Sequence, residues 1–261
     1  MLNRHIAVMA TLGVGASLLS ACEQSPRVQM AAERTRTPGP AGARPQPQRP
    51  QSPPRKASRI DCARVKCVAL TFDDGPGPYT ARLLDHLAKT RVRATFFVLG
   101  ELVRPNARLV RRIAAEGHEL ANHSWSHPDL AGMSSRGVRN EAQRTQAAIQ
   151  RVSGVRSRLF RPPYGSTNAQ VGRAVALPQI MWSVDTLDWS HRNTARTVRI
   201  VLKETRGGGI VLFHDVHKPT VAAIPQVISR LSRKGYRFVT VSELFQGKRL
   251  RPGVRYYERG P

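Results

Sequence analysis

Cysteine, acidic residues and aromatic rings are all scarce in this 261-residue chain, which has three Cys, 17 Asp and Glu against 42 Lys and Arg, and 6% Phe, Trp and Tyr. Three cysteines cannot build a thiolate metal cluster, because Cys62 and Cys67 have no further pair to complete one. The shortage of acid leaves a formal charge of +25, which draws the protein toward polyanions such as nucleic acid, anionic lipid or phosphate-bearing wall polymers. The excess is mostly arginine, spread without a single long basic block and with few interleaved aromatics, so a specific nucleic-acid groove is not indicated. Long apolar runs are missing too: Ile6 to Leu19 is too short and too rich in small residues for a membrane span. There is no internal repeat. With 40% hydrophobic residues, the chain can still core one α/β domain of ordinary barrel size plus extensions.

The amino-terminal stretch reads as an export signal, with Arg4 and His5 ahead of the apolar segment. It ends in Leu19-Ser20-Ala21-Cys22, which resembles the lipobox of bacterial lipoproteins and implies lipidation at Cys22. The alternative is an ordinary secretory signal cleaved near Ala21. Lipidation would remove the odd cysteine and leave Cys62 and Cys67 free to form a disulfide in an oxidising compartment. Residues 23–60 are rich in Pro, Arg, Gln and Ala and nearly free of β-branched and aromatic residues, so they read as a disordered basic tether.

Residues 61–247 form the expected domain, followed by a tail at 248–261. Its apolar runs predict strands at 68–72, 94–99, 119–122, 159–161, 180–184, 209–214 and 238–241. Amphipathic patterns predict helices at 79–90, 105–116, 136–152, 169–176, 195–204 and 221–234. Strand followed by helix, about seven times over, predicts parallel strands closed or nearly closed into a barrel.

Few as they are, the acids and histidines gather where these strands end. Asp73 and Asp74 leave the first strand, and such a pair needs a cation or a basic partner between its members. His123 and His127 lie four apart and can face one point if residues 124–126 turn helically. Asp74, His123 and His127 make a one-carboxylate, two-imidazole set that leaves a coordination position open. Asp73 is the candidate base, with Arg161 keeping it ionised and aimed; His214 is the candidate acid, with Asp188 as the partner that raises its pKa and Asp185 as the fallback. Each residue alone has a plainer reading as a turn, a stiff loop or a core side chain. Their joint occurrence at strand ends favours the site.

Five segments carry a family resemblance: Thr71-Phe72-Asp73-Asp74-Gly75-Pro76, His123-Ser124-Trp125-Ser126-His127, Arg161-Pro162-Pro163-Tyr164-Gly165, Asp185-Thr186-Leu187-Asp188-Trp189 and Leu212-Phe213-His214. Over residues 67–244 the chain resembles the NodB-homology polysaccharide deacetylases, carbohydrate esterase family four. The resemblance implies an α/β fold, a distorted barrel of about seven strand-helix units, and a divalent metal, usually zinc with cobalt or nickel accepted. It assigns metal ligation to Asp74, His123 and His127, the base to Asp73, the acid to His214, and their supports to Arg161 and Asp188. It further implies an oxyanion contact from the Tyr164 amide, a groove wall at Trp182 and an acetyl-methyl pocket at Leu212. The segment 166–181 is short for the family, so the helix at 169–176 is expected to be clipped and the groove more open there.

The expected activity is N-deacetylation of an extracellular N-acetylglucosamine polymer, with peptidoglycan first and chitin second. Acetylxylan is an alternative substrate, and a non-catalytic wall-binding lipoprotein is the alternative from another class. The expected protein is a monomer, exported and held at the membrane facing the wall.

Overall fold

The computed structural model describes residues 60–260, so the expected signal, Cys22 and, apart from Ile60, the tether lie outside the described residues. The chain begins with β1 (Cys67–Asp73), α1 (Thr80–Thr90), β2 (Thr95–Val98), α2 (Gly100–Val103), α3 (Ala107–Ala115) and β3 (Glu119–Asn122). It continues with α4 (Ser135–Ser153), α5 (Ala169–Val175), β4 (Gln179–Ile180), β5 (Val184–Asp185), α6 (Asp188–His191) and α7 (Thr194–Glu204). It ends with β6 (Gly209–His214), α8 (Lys218–Arg233), β7 (Arg237–Val239), α9 (Val241–Leu244) and β8 (Arg255–Tyr256).

The main sheet is parallel, in the order β3-β2-β1-β6-β5, with β7 also paired to β1. One edge of β1 is shared: β7 pairs with Cys67 to Ala69, and β2 takes over from Thr71. On the other edge β6 runs along β1 from Val68↔Gly209 to Asp73↔His214. Single bridges carry the ring onward, from Asn122 to Phe160 and from Phe160 to Gln179. β4 then pairs with β8, and Glu258 bridges back to Gly209. The result is the expected distorted barrel.

Every residue of β1 is buried, as a central parallel strand with both faces covered requires. The two-residue period then sorts its side chains. Val68, Leu70 and Phe72 join the cluster under the outer helices, where Phe72 stacks on Phe96 and Phe213 at 5.3 and 5.4 Å. Cys67 and Ala69 join the inner cluster with Phe97, Ile180 and Ile210. Thr71 and Asp73 share that inward parity, as do Leu212 and His214 on β6.

Helix limits follow local chemistry. Ser134 caps α4, its Oγ accepting from Gly137 N at 3.3 Å, and Gly154 ends it with φ +73°. α8 starts earlier than expected because Pro219 suits a first turn.

Several expected boundaries change. The strand at 159–161 shrinks to bridges through Phe160, and the one at 180–184 divides into β4 and β5, because the barrel wall here is paired for only a residue or two at a time. The strand at 238–241 ends at Val239, where Thr240 and Glu243 form a capping box that starts α9. The stretch 248–261, read from sequence as a tail, supplies β8. Cys62 and Cys67 are joined by a disulfide with Cα atoms 5.4 Å apart. Among the described residues no helix is long and apolar enough to cross a membrane.

Candidate active site and metal centre

The carboxyl edge of the barrel opens into a cavity of about 340 Å³, lined by Asp73, Asp74, His123, His127, Pro162, Tyr164, Trp182, Asp185, Trp189, Leu212 and His214. Arg161 and Asp188 stand behind it, 0% and 1% exposed. All ten residues expected to act in catalysis, metal binding or substrate contact are therefore brought together.

Asp74 leaves β1 in the left-handed region with φ +69°. This conformation is costly for a non-glycine residue and swings its carboxylate away from the strand face. Oδ1 of Asp74 is buried and accepts no hydrogen bond. Nε2 of His123 lies 3.4 Å from it and Nε2 of His127 3.3 Å. A tetrahedral cation with bonds of about 2.0–2.1 Å places its ligands roughly 3.3–3.5 Å apart, so the spacing suits one. His123 Nδ1 lies 2.7 Å from Arg161 O. A carbonyl can only accept, so Nδ1–H donates and Nε2 is left as the ring atom that faces Asp74. Burial pushes the Asp74 carboxyl upward, but His123, with His214 and His127, outweighs it and holds the group well below the usual carboxylate range. A buried acceptor without a donor, faced by two imidazole nitrogens, fits a divalent cation.

The histidines do not converge by a helical turn, contrary to expectation. Ser124 and His127 have φ of +69° and +60°, so the segment between them is a tight loop that brings both imidazoles to one point. Ser124 Oγ accepts from His127 N at 3.1 Å, and Asn122 Oδ1 accepts from Ser124 N at 3.0 Å.

Asp73, 2% exposed, is held through one oxygen. Arg161 Nη1 donates to Asp73 Oδ1 at 2.7 Å and to Thr71 Oγ1 at 2.8 Å. The guanidinium also donates to Ile180 O and Met181 O and lies 4.1 Å from the Phe97 ring centre. Fixed on four acceptors, it cannot swing away from Asp73. Asp73 Oδ2 is left facing the cavity side, 3.6 Å from His123 Nε2.

His214 is the direct β6 partner of Asp73. Its Nδ1 lies 2.8 Å from Asp188 Oδ1, and its backbone N donates to Asp188 Oδ2, also at 2.8 Å. Trp189 N and Thr220 Oγ1 complete the carboxylate's partners. Burial alone would lower the His214 pKa, but Asp188, helped by Asp73 and Asp74, pushes it up to about 9. Asp188 is thus the partner, as expected; the fallback Asp185 instead accepts from Leu187 N at 2.9 Å and lines the cavity.

Tyr164 occupies a left-handed turn with φ +58°; the residue is 71% exposed, and its ring stands edge-on to His127 at 4.5 Å. Trp189, half exposed, forms another part of the rim. The short segment still forms α5 over two turns. Sequence reasoning missed Thr71, legible from its shared parity with Asp73, and Thr220, which has no local signal.

The family model described as Polysaccharide deacetylase matches residues 61–179. The peptidoglycan-N-acetylglucosamine deacetylase PgdA of Listeria monocytogenes is 44% identical over 195 residues, 74% of this chain and 42% of that protein, so less than half of that relative is spanned. A solved T48 deacetylase with substrate is 45% identical, with TM-score 0.74, over 76% of this chain and 99% of its own. A family 4 acetyl xylan esterase from Clostridium thermocellum in complex with a cobalt ion is 37% identical, with TM-score 0.72, over 75% and 100%. Likeness of this depth across whole solved domains shows that the chain belongs to the polysaccharide deacetylases, the NodB-homology hydrolases of carbohydrate esterase family four.

Proposed function

We propose that the protein is a metal-dependent deacetylase that hydrolyses N-acetyl groups on an N-acetylglucosamine polymer outside the cell, peptidoglycan first and chitin second. The observation that carries this is the buried, undonated Asp74 Oδ1 facing two imidazole nitrogens, with Asp73–Arg161 and His214–Asp188 at its sides. Asp74, His123 and His127 would hold zinc, cobalt or nickel. A bound cation supplies Lewis-acid polarisation of the acetyl carbonyl and a water of lowered pKa. Asp73, aimed by Arg161, accepts the proton of the attacking water. The Tyr164 amide is assigned to the developing oxyanion. His214 gives its proton to the departing sugar nitrogen, so acetate and a free amine result. Trp182 walls the groove and Leu212 faces the acetyl methyl.

Acetate release from acetylated peptidoglycan and from chitooligosaccharide, with and without chelator, tests the reading. Release that stops with chelator and returns with added Zn²⁺ or Co²⁺ supports it. No release from any acetylated polymer overturns it. Similarity to an acetyl xylan esterase supports a second reading, O-deacetylation of xylan, and the same assay on acetylxylan separates the two.

The acid assignment has a pH signature. His214 donates only while protonated, so the basic limb of kcat/KM should lie above the ordinary histidine value of 6.5, and below about 9 where a bound cation offsets Asp73 and Asp74. In Asp188→Asn the burial penalty on His214 loses its main opponent, and the limb should move acid-ward, toward or below the ordinary value of 6.5. A limb that stays in place in this variant rejects the pairing.

Export with lipid attachment at Cys22 is proposed from the leader sequence. The mass of the mature protein, and its release from membranes in Cys22→Ala, decide it. A lipid anchor and basic residues 23–60 would hold a monomeric enzyme against its polymer.

A further inference from the structure

We propose that Glu141 is a positioning residue for His127 and sets the affinity of the site for its cation. The inference rests on reading Asp74, His123 and His127 as metal ligands. Glu141 lies on α4, apart in sequence from every motif, and is 7% exposed. Its Oε2 accepts from Trp125 N at 2.7 Å and Ser126 N at 2.9 Å, and its Oε1 accepts from Ser126 Oγ at 3.3 Å.

These bonds complete the backbone ledger of the histidine loop. His123 N donates to Val98 O, Ser124 N to Asn122 Oδ1, and His127 N to Ser124 Oγ. Without Glu141 the two N–H groups between, of Trp125 and Ser126, would be left without an acceptor. Two loop carbonyls are held as well, Ser124 O by Gly100 N and Trp125 O by Glu101 N. The loop passes through two left-handed residues, Ser124 and His127, a conformation that persists only when surrounding bonds enforce it. His123 is fixed independently, by the Arg161 carbonyl at its Nδ1 and by its strand-end amide. Among the described residues the His127 ring makes no hydrogen bond or ion pair with a group other than Asp74, and its remaining ring contacts are with His123 and Tyr164. The direction of His127 Nε2 is therefore set by its backbone, and Glu141 holds the residues leading into it. A paired carboxylate suits this work, because two amides converge on one of its oxygens and charge-assisted bonds resist loop relaxation.

The test is Co²⁺ binding to the full chain, followed by calorimetry and by the visible absorption of the bound ion, with thermal unfolding of the metal-free protein alongside. Wild-type protein that binds no Co²⁺ rejects the metal reading itself. Given wild-type binding, Glu141→Ala should weaken affinity by about 10–100-fold, as loss of an orienting partner does. Glu141→Gln, whose amide oxygen can still accept from both backbone N–H groups, should recover most of it. Glu141→Asp keeps the charge but shortens the reach, should bind weakly, and decides the matter if the alanine variant does not fold. Equal affinity in wild type and Glu141→Asp or Glu141→Ala overturns the proposal. A Glu141→Ala variant that loses affinity only in step with a lower unfolding temperature, with the spectrum of bound Co²⁺ unchanged, shows a general structural effect and overturns it too.

Discussion

Asp73→Asn is expected to lower kcat/KM for acetate release by about 10²–10⁴-fold, the usual worth of a general base, while divalent-metal affinity stays within about threefold. The two carboxylate oxygens are used differently. Oδ1 is committed to Arg161 at 2.7 Å, so only Oδ2 is available to take a proton. Asparagine keeps the shape and can still accept from Arg161, but it offers no anion to receive a proton. The buried guanidinium would lose its countercharge, so some stability should be lost as well, because an uncompensated buried charge is costly. Measuring Co²⁺ affinity and turnover on the same preparation separates the two effects. A variant that keeps a tenth or more of wild-type turnover, by the same scale, places the base elsewhere.

Asp74→Ala should remove metal loading, with affinity reduced by more than the roughly 100-fold typical of an orienting partner, and turnover should vanish with it. Asp74 is the carboxylate of the set, and its Oδ1 is the point both imidazoles face. His123→Ala should behave likewise, whereas Asp73→Asn should not. The contrast between neighbouring aspartates is the sharp part of the prediction. Their Cα atoms follow one another in the chain, yet one carboxylate is held by Arg161 and the other, turned by its left-handed backbone, faces the histidines. Titration of the metal-free variants with Zn²⁺ measures this directly, and full loading of Asp74→Ala would remove the centre from the position proposed here.

The His214–Asp188 pair also carries a stability signature. The pKa of His214 is raised in the folded protein from 6.5 to about 9, so its contribution is complete below about 6.5 and lost as pH rises through about 9. Alkaline loss of stability in the metal-free protein should be smaller in Asp188→Asn.

Much of this was legible because strand period and strand ends are local properties. β1 reads as a buried parallel strand from Cys67-Val68-Ala69-Leu70-Thr71-Phe72 alone, and two acids at its exit stand out against that background. β6 is equally plain, so His214 was correctly placed. The wall near Phe160 and Gln179 was not, because strands of one or two paired residues leave no period to read. The shape of the His123–His127 loop was also hidden. Four-residue spacing suggests a helical face, whereas the actual turn depends on Asn122, Ser124 and a glutamate contributed by a later helix. Asp188 was legible as the partner of His214, but its supports, the α6 turn and Thr220 from α8, were not.

The Cys62–Cys67 bridge gives the barrel a defined mechanical entry. Tension arriving along the chain from its amino-terminal side bypasses residues 63–66 and is handed through the cystine to the first residue of β1. Because β6 is bonded along β1 from Val68 to Asp73, a pull directed along β1 loads their rungs together, in shear.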